Sequence, residues 1–465
     1  MTNRINLRDT LRAISQYHEN EKLIQWLQRQ WLVSFLTPKR RRFILFIGAL
    51  FVGFKAMHQR FLRSVEPSAA DALLATSLTF PILLTLVYLL YLAAAHFQKL
   101  PGPIKQRPQV ALHLLFWGIL ALLWLAPDEG GTWQNVFILF AISLPFLLWR
   151  CGYMLKSGQR NNAQRTTFRD HLFYLWPVWG GTFTPIGKGA DYLTRCEAKT
   201  PDAYARSILA ALKLLLLMLL LDLFRQVLAA ILYGDPRNSF TALLGGYNLG
   251  FPRLSEIAAG KTQASLITTW LAVYLELIWE TLRHAIPGHK WVALLRLCGF
   301  NVFRNTYKPL LAESVLDFWN RYYYYFKELL LEFFFFPTYL RYFRTWPKLR
   351  IFAAIFAAAF VGNMYYHFLQ ARVSLAEGQV LEVAESMSPR MIYCFLLTVG
   401  IYISTLRQQH RRGQSENVNS ATAGFIKLRH IAGVWTFFSL INLWNTRTIT
   451  STPERIRFFF SLFGF

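Results

Sequence analysis

The apolar runs of this chain are too long for a soluble fold, and that constrains it more than any other feature. Leu73 to Ala95 contains no charged residue, and about 20 apolar residues at 1.5 Å each cross the hydrocarbon core of a bilayer. A helix apolar on every face is a membrane span or the centre of a large bundle. The expected fold is therefore all-α: a polytopic integral membrane protein. Candidate spans lie at 43 to 57, 72 to 96, 110 to 126, 134 to 150, 205 to 233, 263 to 283, 350 to 371, 390 to 406 and 431 to 446. Shorter apolar pieces around 172 to 186, 291 to 303, 328 to 340 and 456 to 465 suit re-entrant helices, which need protein or a watery cavity over their backbone.

Charge narrows the partners. Lys and Arg number 50 against 25 Asp and Glu, a formal charge of +25, which fits either nucleic acid or an anionic membrane face. The basic residues sit at the ends of apolar runs, so membrane lipids are the expected partner and nucleic acid is not. Residues 1–42 read as a basic interfacial segment, with Ile5, Leu11, Ile14, Leu23, Trp26, Leu27 and Trp31 at roughly helical spacing and Lys39 to Arg42 at its end. A soluble helix packed on the protein explains that spacing equally well. Residues 43–465 read as one membrane domain. No short apolar stretch with a small-residue cleavage site opens the chain, so the first span itself is expected to direct insertion.

The positive-inside rule places the N-terminus in the cytoplasm, together with Lys99, Lys105 and Arg107, a loop from Arg150 to Arg169, Lys348 and Arg350, and Arg407 to Arg412. Asp128, Glu129, Glu377, Glu382 and Glu385 fall outside. Arg60 and Arg63 also land outside, the one misfit. Cys151, Cys196, Cys298 and Cys394 are far apart and form no C-x-x-C pair, so neither a metal site nor a disulfide framework is expected.

Ionisable groups at membrane depth each cost about 2.5 to 3.5 kcal/mol unless paired or wet, so they deserve individual readings. Asp222 and Arg225 lie three apart and read as a self-neutralising pair. Glu276 and Glu280 face one side of a helix, where each could take a basic partner such as Arg283. His367 stands alone in an apolar run; such a histidine is more often a packing group than a catalyst, yet its pKa range suits proton transfer. Residues 317–337 form an aromatic block, by composition an interfacial belt. Gly187-Lys188-Gly189 lacks the remainder of a phosphate loop.

The order of residues is more specific than their composition. Leu294-Leu295-Arg296-Leu297-Cys298-Gly299-Phe300, then Asn305-Thr306-Tyr307-Lys308-Pro309, then Asp317-Phe318-Trp319-Asn320-Arg321 resembles the A-R-L-x-G-F, N-F-x-x-P and E-F-W-R-R-W-H series of bacterial membrane-bound O-acyltransferases. That branch includes alginate O-acetylases and the protein that D-alanylates teichoic acid. Gly362 to His367 resembles its G-L-W-H motif, while Thr184-Pro185-Ile186 and Thr436 to Trp444 are fainter echoes. The strong likeness covers residues 294–321 and the weaker one 170–465. The chain departs from the pattern where the family has tryptophan and its first histidine, because Tyr322 and Tyr323 stand there. Forty-four residues separate Tyr323 from His367, a spacing similar to the family's.

The resemblance implies a bundle with re-entrant helices around a central tunnel. It implies transfer of an acyl group, acetyl among the options, from a cytoplasmic thioester to a hydroxyl of an envelope or exported glycan. The donor would be acyl-CoA or an acyl carrier protein, with no bound cofactor, and a partner protein of an acylation system is a further expectation. His367 would be the general base and Tyr323 the oxyanion donor, with Trp319, Asn320, Arg321, Tyr322 and Glu280 on the substrate side. The location implied is a bacterial inner membrane. The alternative is an inactive scaffold or transport component for lipid or glycan, which loss of the first histidine allows.

Overall fold

The computed structural model describes residues 16–125, 131–160, 166–172, 183–411, 420–446 and 451–464. It is 79% helix with no strand among the described residues, so the all-α expectation holds. Among the described residues, six helices are long and apolar enough to cross a membrane: Pro38–Val65, Ala69–Ala95, Thr132–Gln159, Pro201–Tyr233, Pro347–Phe368 and Ser388–His410. These correspond to six of the nine expected spans.

The other three differ for identifiable reasons. Pro108–Trp124 is apolar but only 17 residues long. Residues 263–283 fall in a longer helix, Leu266–Leu297, which carries Glu276, Glu280, Arg283 and His284 along its middle. The run 431–446 begins inside Ser420–Asn442, whose first half holds Lys427, Arg429 and His430. Arg150 corrects another expectation. It lies in no loop, since Thr132–Gln159 continues for nine residues beyond it and buries it at 1% exposure. At the N-terminus, residues 1–15, with Ile5, Leu11 and Ile14, lie outside the described residues; two short helices, Glu21–Gln28 and Trp31–Phe35, follow. Most of 172–186 also lies outside them.

The chain forms two compact units. The first comprises Met1–Leu216, Lys290–Phe303 and Leu369–Val380. Thr132–Gln159 is its central helix, with 83% of its apolar window buried against Ala69–Ala95, Pro108–Trp124 and Arg372–Ala376. A helix apolar all round belongs in such a position. Pro38–Val65 is only 17% buried, and Phe43, Ile44, Ile47 and Phe51 line an exposed stripe along it. Such a stripe is compatible with contact to lipid.

The basic run at the start of that helix is held by protein contacts. Arg41 is 5% exposed, donates to the Ala198 carbonyl and lies 4.2 Å over the Tyr204 ring. Arg42 pairs with Glu197, Nε to Oε1 at 3.0 Å, and with Asp170 at 3.3 Å. Residues 196 to 198 in turn pair with 299 to 301 through Ala198 N to Gly299 O and Asn301 N to Cys196 O, at 2.8 and 2.9 Å. Gly299 has φ +87°, and a Cβ there would meet the Arg41 guanidinium at 2.9 Å, so glycine fits on both counts.

The second unit comprises Leu217–His289, Arg304–Phe368 and Leu381–Phe465. Two of its helical stretches widen into π-helix, at Leu331–Phe335 and Ala357–Gly362, and these wide turns pack on each other. Gly362 makes the approach possible, because a Cβ there would lie 2.6 and 2.8 Å from Phe334 ring carbons and 3.0 Å from Leu330. Gly362→Ala should therefore lower stability by about 1 to 3 kcal/mol through overpacking. Gly433→Ala meets nothing within 4 Å and should raise it by about 0.5 to 1 kcal/mol through helix propensity. Thermal unfolding of the detergent-solubilised variants reads both signs. A Gly362→Ala protein melting with or above the wild type would show that the wide turns do not pack as described.

Candidate functional site

The later part of the segment resembling the acyltransferase series, from Asn305 on, folds as a broken helix held by a loop, whereas residues 294–303 belong to the first unit. Ser314 starts Val315–Tyr322 by accepting from Asp317 N at 3.1 Å, an N-cap. The helix ends at Tyr323, whose φ −145° and ψ 78° are not helical, and Tyr324–Leu330 starts immediately after. The backbone groups freed by the break go to Asn305, Thr306 and Tyr307. Tyr324 N donates to Asn305 O at 2.8 Å, and Tyr325 N to Asn305 Oδ1 at 3.2 Å. Thr306 Oγ1 donates to Tyr322 O at 2.9 Å, and Tyr307 N to Arg321 O at 2.8 Å. Gly288 lets Asn305 approach, since a Cβ there would lie 2.9 Å from its amide nitrogen.

This break sets Tyr322 and Tyr323 against the Leu266–Leu297 helix. His284 has its ring centroid 5.4 Å from that of Tyr322 and 5.8 Å from that of Tyr323. Its Nδ1 lies 2.9 Å from the Glu280 carbonyl and 2.9 Å from the Tyr322 hydroxyl. A carbonyl can only accept, so the proton belongs on Nδ1 and Nε2 is the acceptor nitrogen; this tautomer is inferred from the partners. The Tyr322 hydroxyl is also 3.4 Å from the same carbonyl. Burial pushes its pKa well above the usual tyrosine range, so it keeps its proton and can donate. The Glu280 carboxylate pairs with Arg283 and stands 3.8 Å from His284 Nδ1.

Phe326 joins this pair to His367. Its ring centroid is 5.8 Å from Tyr323, 6.0 Å from Trp319, 4.5 Å from Tyr366 and 6.0 Å from His367. Of the residues singled out in the sequence, Tyr322, Tyr323, Trp319, Glu280 and His367 thus belong to one connected cluster. Asn320 is exposed and accepts from Lys327 at 3.3 Å, while Arg321 pairs with Asp317 at 2.7 Å. The half-buried Glu276 accepts from Thr446 at 2.8 Å. Asp222 and Arg225 form the expected pair at 2.7 Å.

Sequence reading missed His284, Phe326 and Asn363, and it quoted Asn305 in a motif without giving it a role. His284 did leave a signal, because it lies four residues after Glu280 and so on the same helix face. Asn363 lies one turn before His367, is 1% exposed, and its Oδ1 has no partner among the described residues. No group of three metal-ligating side chains comes together among the described residues. Two small cavities of the first unit, with mainly apolar walls, contain none of the cluster residues.

If Asn305 holds the break, Asn305→Ala leaves the buried Tyr325 N–H without its acceptor, at a cost of about 1 to 3 kcal/mol. The Tyr325 amide should then exchange with deuterium faster than in wild type, while Asn305→Asp, which keeps an acceptor oxygen, should protect it. Equal protection in Asn305→Ala would show that the loop does not hold the break.

No family model matches the chain, and no curated protein matches it, so its function rests on the geometry of this cluster.

Proposed function

We propose that the second unit catalyses acyl transfer in the manner of the membrane-bound O-acyltransferases, which residues 294–321 resemble. The observation that carries the reading is the meeting of Tyr323 and His367 on one ring, Phe326, at 5.8 and 6.0 Å, although forty-four residues separate them. The donor is an acyl thioester, acyl-CoA or acyl carrier protein, and the acceptor is a hydroxyl of an envelope or exported glycan. The protein lies in a bacterial inner membrane with its N-terminus cytoplasmic, and re-entrant helices enclose the path between donor and acceptor.

In this reading His367 takes the proton from the acceptor hydroxyl as its oxygen bonds to the thioester carbon. Tyr323 donates a hydrogen bond to the oxyanion of the tetrahedral intermediate. The C–S bond then breaks, and the departing thiolate recovers the proton from the imidazolium. Asn363, one turn from His367, offers an acceptor oxygen for a second hydroxyl of the glycan. His284 supports Tyr322 and Tyr323 from the other helix.

Transfer of radiolabelled acyl groups in membranes, normalised to folded protein, tests the chemistry. His367→Gln keeps size and hydrogen bonding but removes the base, so transfer should fall by about 10² to 10⁴. Tyr323→Phe should cost roughly 10² to 10³, as for one oxyanion donor, with acceptor binding nearly unchanged. Full output from His367→Gln at normal abundance would leave the scaffold as the better account. Orientation has its own measurement: a reporter active only outside the cytoplasm, fused after Arg411, should stay silent, and strong signal would reverse the topology.

A further inference from the structure

The two short N-terminal helices, Glu21–Gln28 and Trp31–Phe35, carry two different faces. On one, Ile24 packs with Ala205 and Leu209, and Val33 with Ala198 and Tyr204, so both helices are seated on the first unit. On the other, Trp26 is 61% exposed and Trp31 72%, with Leu32 and Phe35 exposed beside them. Packing on protein accounts for the first face and not for the second. Scattered apolar residues on a surface are ordinary, but a run of large ones marks a face that meets another phase or partner.

The connections of the second face identify what meets it. Trp31 and Phe35 lie edge to face at 6.0 Å, and the Arg40 guanidinium carbon is 4.3 Å from the centroid of Phe35. Arg40 Nη1 also donates to Phe35 O at 3.0 Å. Arg40 stands in the first turn of Pro38–Val65, and Ile44, Ile47 and Phe51, all exposed, follow it at steps of four, three and four, on the same side of the helix. The aromatic pair is thereby tied to the first turn of a span-length helix, the level at which tryptophan and basic side chains meet lipid headgroups. Charge agrees with this placement. No acidic residue occurs between Glu21 and Glu66. Arg41 and Arg42 turn inward to Ala198 and Glu197, whereas Arg29 and Lys39 are exposed and have no carboxylate partner among the described residues.

We propose that this face is an in-plane anchor for anionic phospholipid headgroups, in which Trp26, Trp31 and Phe35 enter the interface while Arg29, Lys39 and Arg40 take the lipid charge. An acid-free basic segment at the membrane surface is drawn to anionic lipid, whereas a zwitterionic leaflet satisfies only its aromatic residues. The inference is independent of acyl transfer.

The test uses the full chain in nanodiscs that mix phosphatidylcholine with phosphatidylglycerol. Trp31 and, in a second protein, Trp26 are replaced by the photoreactive residue benzoylphenylalanine; both positions are exposed, so the fold should tolerate the exchange. Illumination should give lipid adducts at both positions, with phosphatidylglycerol among them in excess of its share of the bilayer. Adding Arg29→Gln and Lys39→Gln should return phosphatidylglycerol to that bulk share while lipid adducts still form, because the aromatic residues remain in the interface. Should the doubly neutralised protein fail to fold, Arg29→Gln alone carries the comparison and should lower the excess. The proposal is overturned by an absence of lipid adducts at both positions, or by adducts to a second copy of the chain in their place. It is equally overturned by phosphatidylglycerol at its bulk share with the basic residues intact, or by an undiminished excess in the folded neutralised variant.

Discussion

A helix that stops and restarts inside apolar protein must find partners for the backbone groups it frees, because no bulk water is at hand. At Tyr323 the partners come from one loop, Asn305 to Tyr307, which receives two amides and supplies two donors. The rest of the site depends on that exchange. With the break satisfied, Tyr322 is held where its hydroxyl meets His284, and Tyr323 where its ring lies between His284 and Phe326. A continuous helix through this segment would advance each residue by 100° and could not set two consecutive tyrosines against the same histidine. Gly288 belongs to the same device, since a side chain there would displace Asn305.

Charge follows a similar rule of local compensation. Asp222 has Arg225 and Glu280 has Arg283, each three residues along a helix, while Glu276 has the Thr446 hydroxyl. Arg41 and Arg42 belong to a run that reads as a topology signal, yet both are anchored in the first unit by carbonyl, carboxylate and ring contacts. The two roles are compatible, because a cation that orients a span can also be held by protein once the span is inserted. Arg60 differs, as its guanidinium lies over a neutral ring, that of Phe146.

The apolar runs made the fold class and six helices legible, because span length and uniform hydropathy are local properties. Local reading failed where a helix crosses a charge. The expected span ended at Arg150, whereas the helix continues through Cys151 to Leu155, all buried. Elements carrying several charges, such as Leu266–Leu297, fall outside the six by composition, although the helix covers most of the expected run. The two π segments left no signature, since a single extra residue in a turn changes phase without changing composition. Within the site, His367 and Tyr323 were legible through resemblance. His284 was only half legible: its spacing from Glu280 is local, but its partner Tyr322 lies 38 residues on and meets it only through the fold.

The substitution at 323 divides the chemistry that the cluster can perform. An unperturbed phenol titrates near about 10 and an imidazole near about 6.5, so near neutral pH a tyrosine is a hydrogen-bond donor and a histidine can accept a proton. Placing tyrosine where the resembling family has histidine therefore removes a base and leaves a donor. In the proposed reaction the proton-accepting duty then falls to an imidazole, and the cluster holds two, His367 beside Phe326 and His284 beside Tyr323. Of the two, His284 has its Nδ1 engaged by a helix carbonyl and a phenol, which fixes both its tautomer and its ring plane. His367 sits at the end of a helix whose preceding π turn shifts the phase of every residue after it, Asn363 and His367 together. Because the shift moves the asparagine and the histidine as a unit, the acceptor oxygen and the imidazole keep their one-turn spacing whatever register the wide turn adopts.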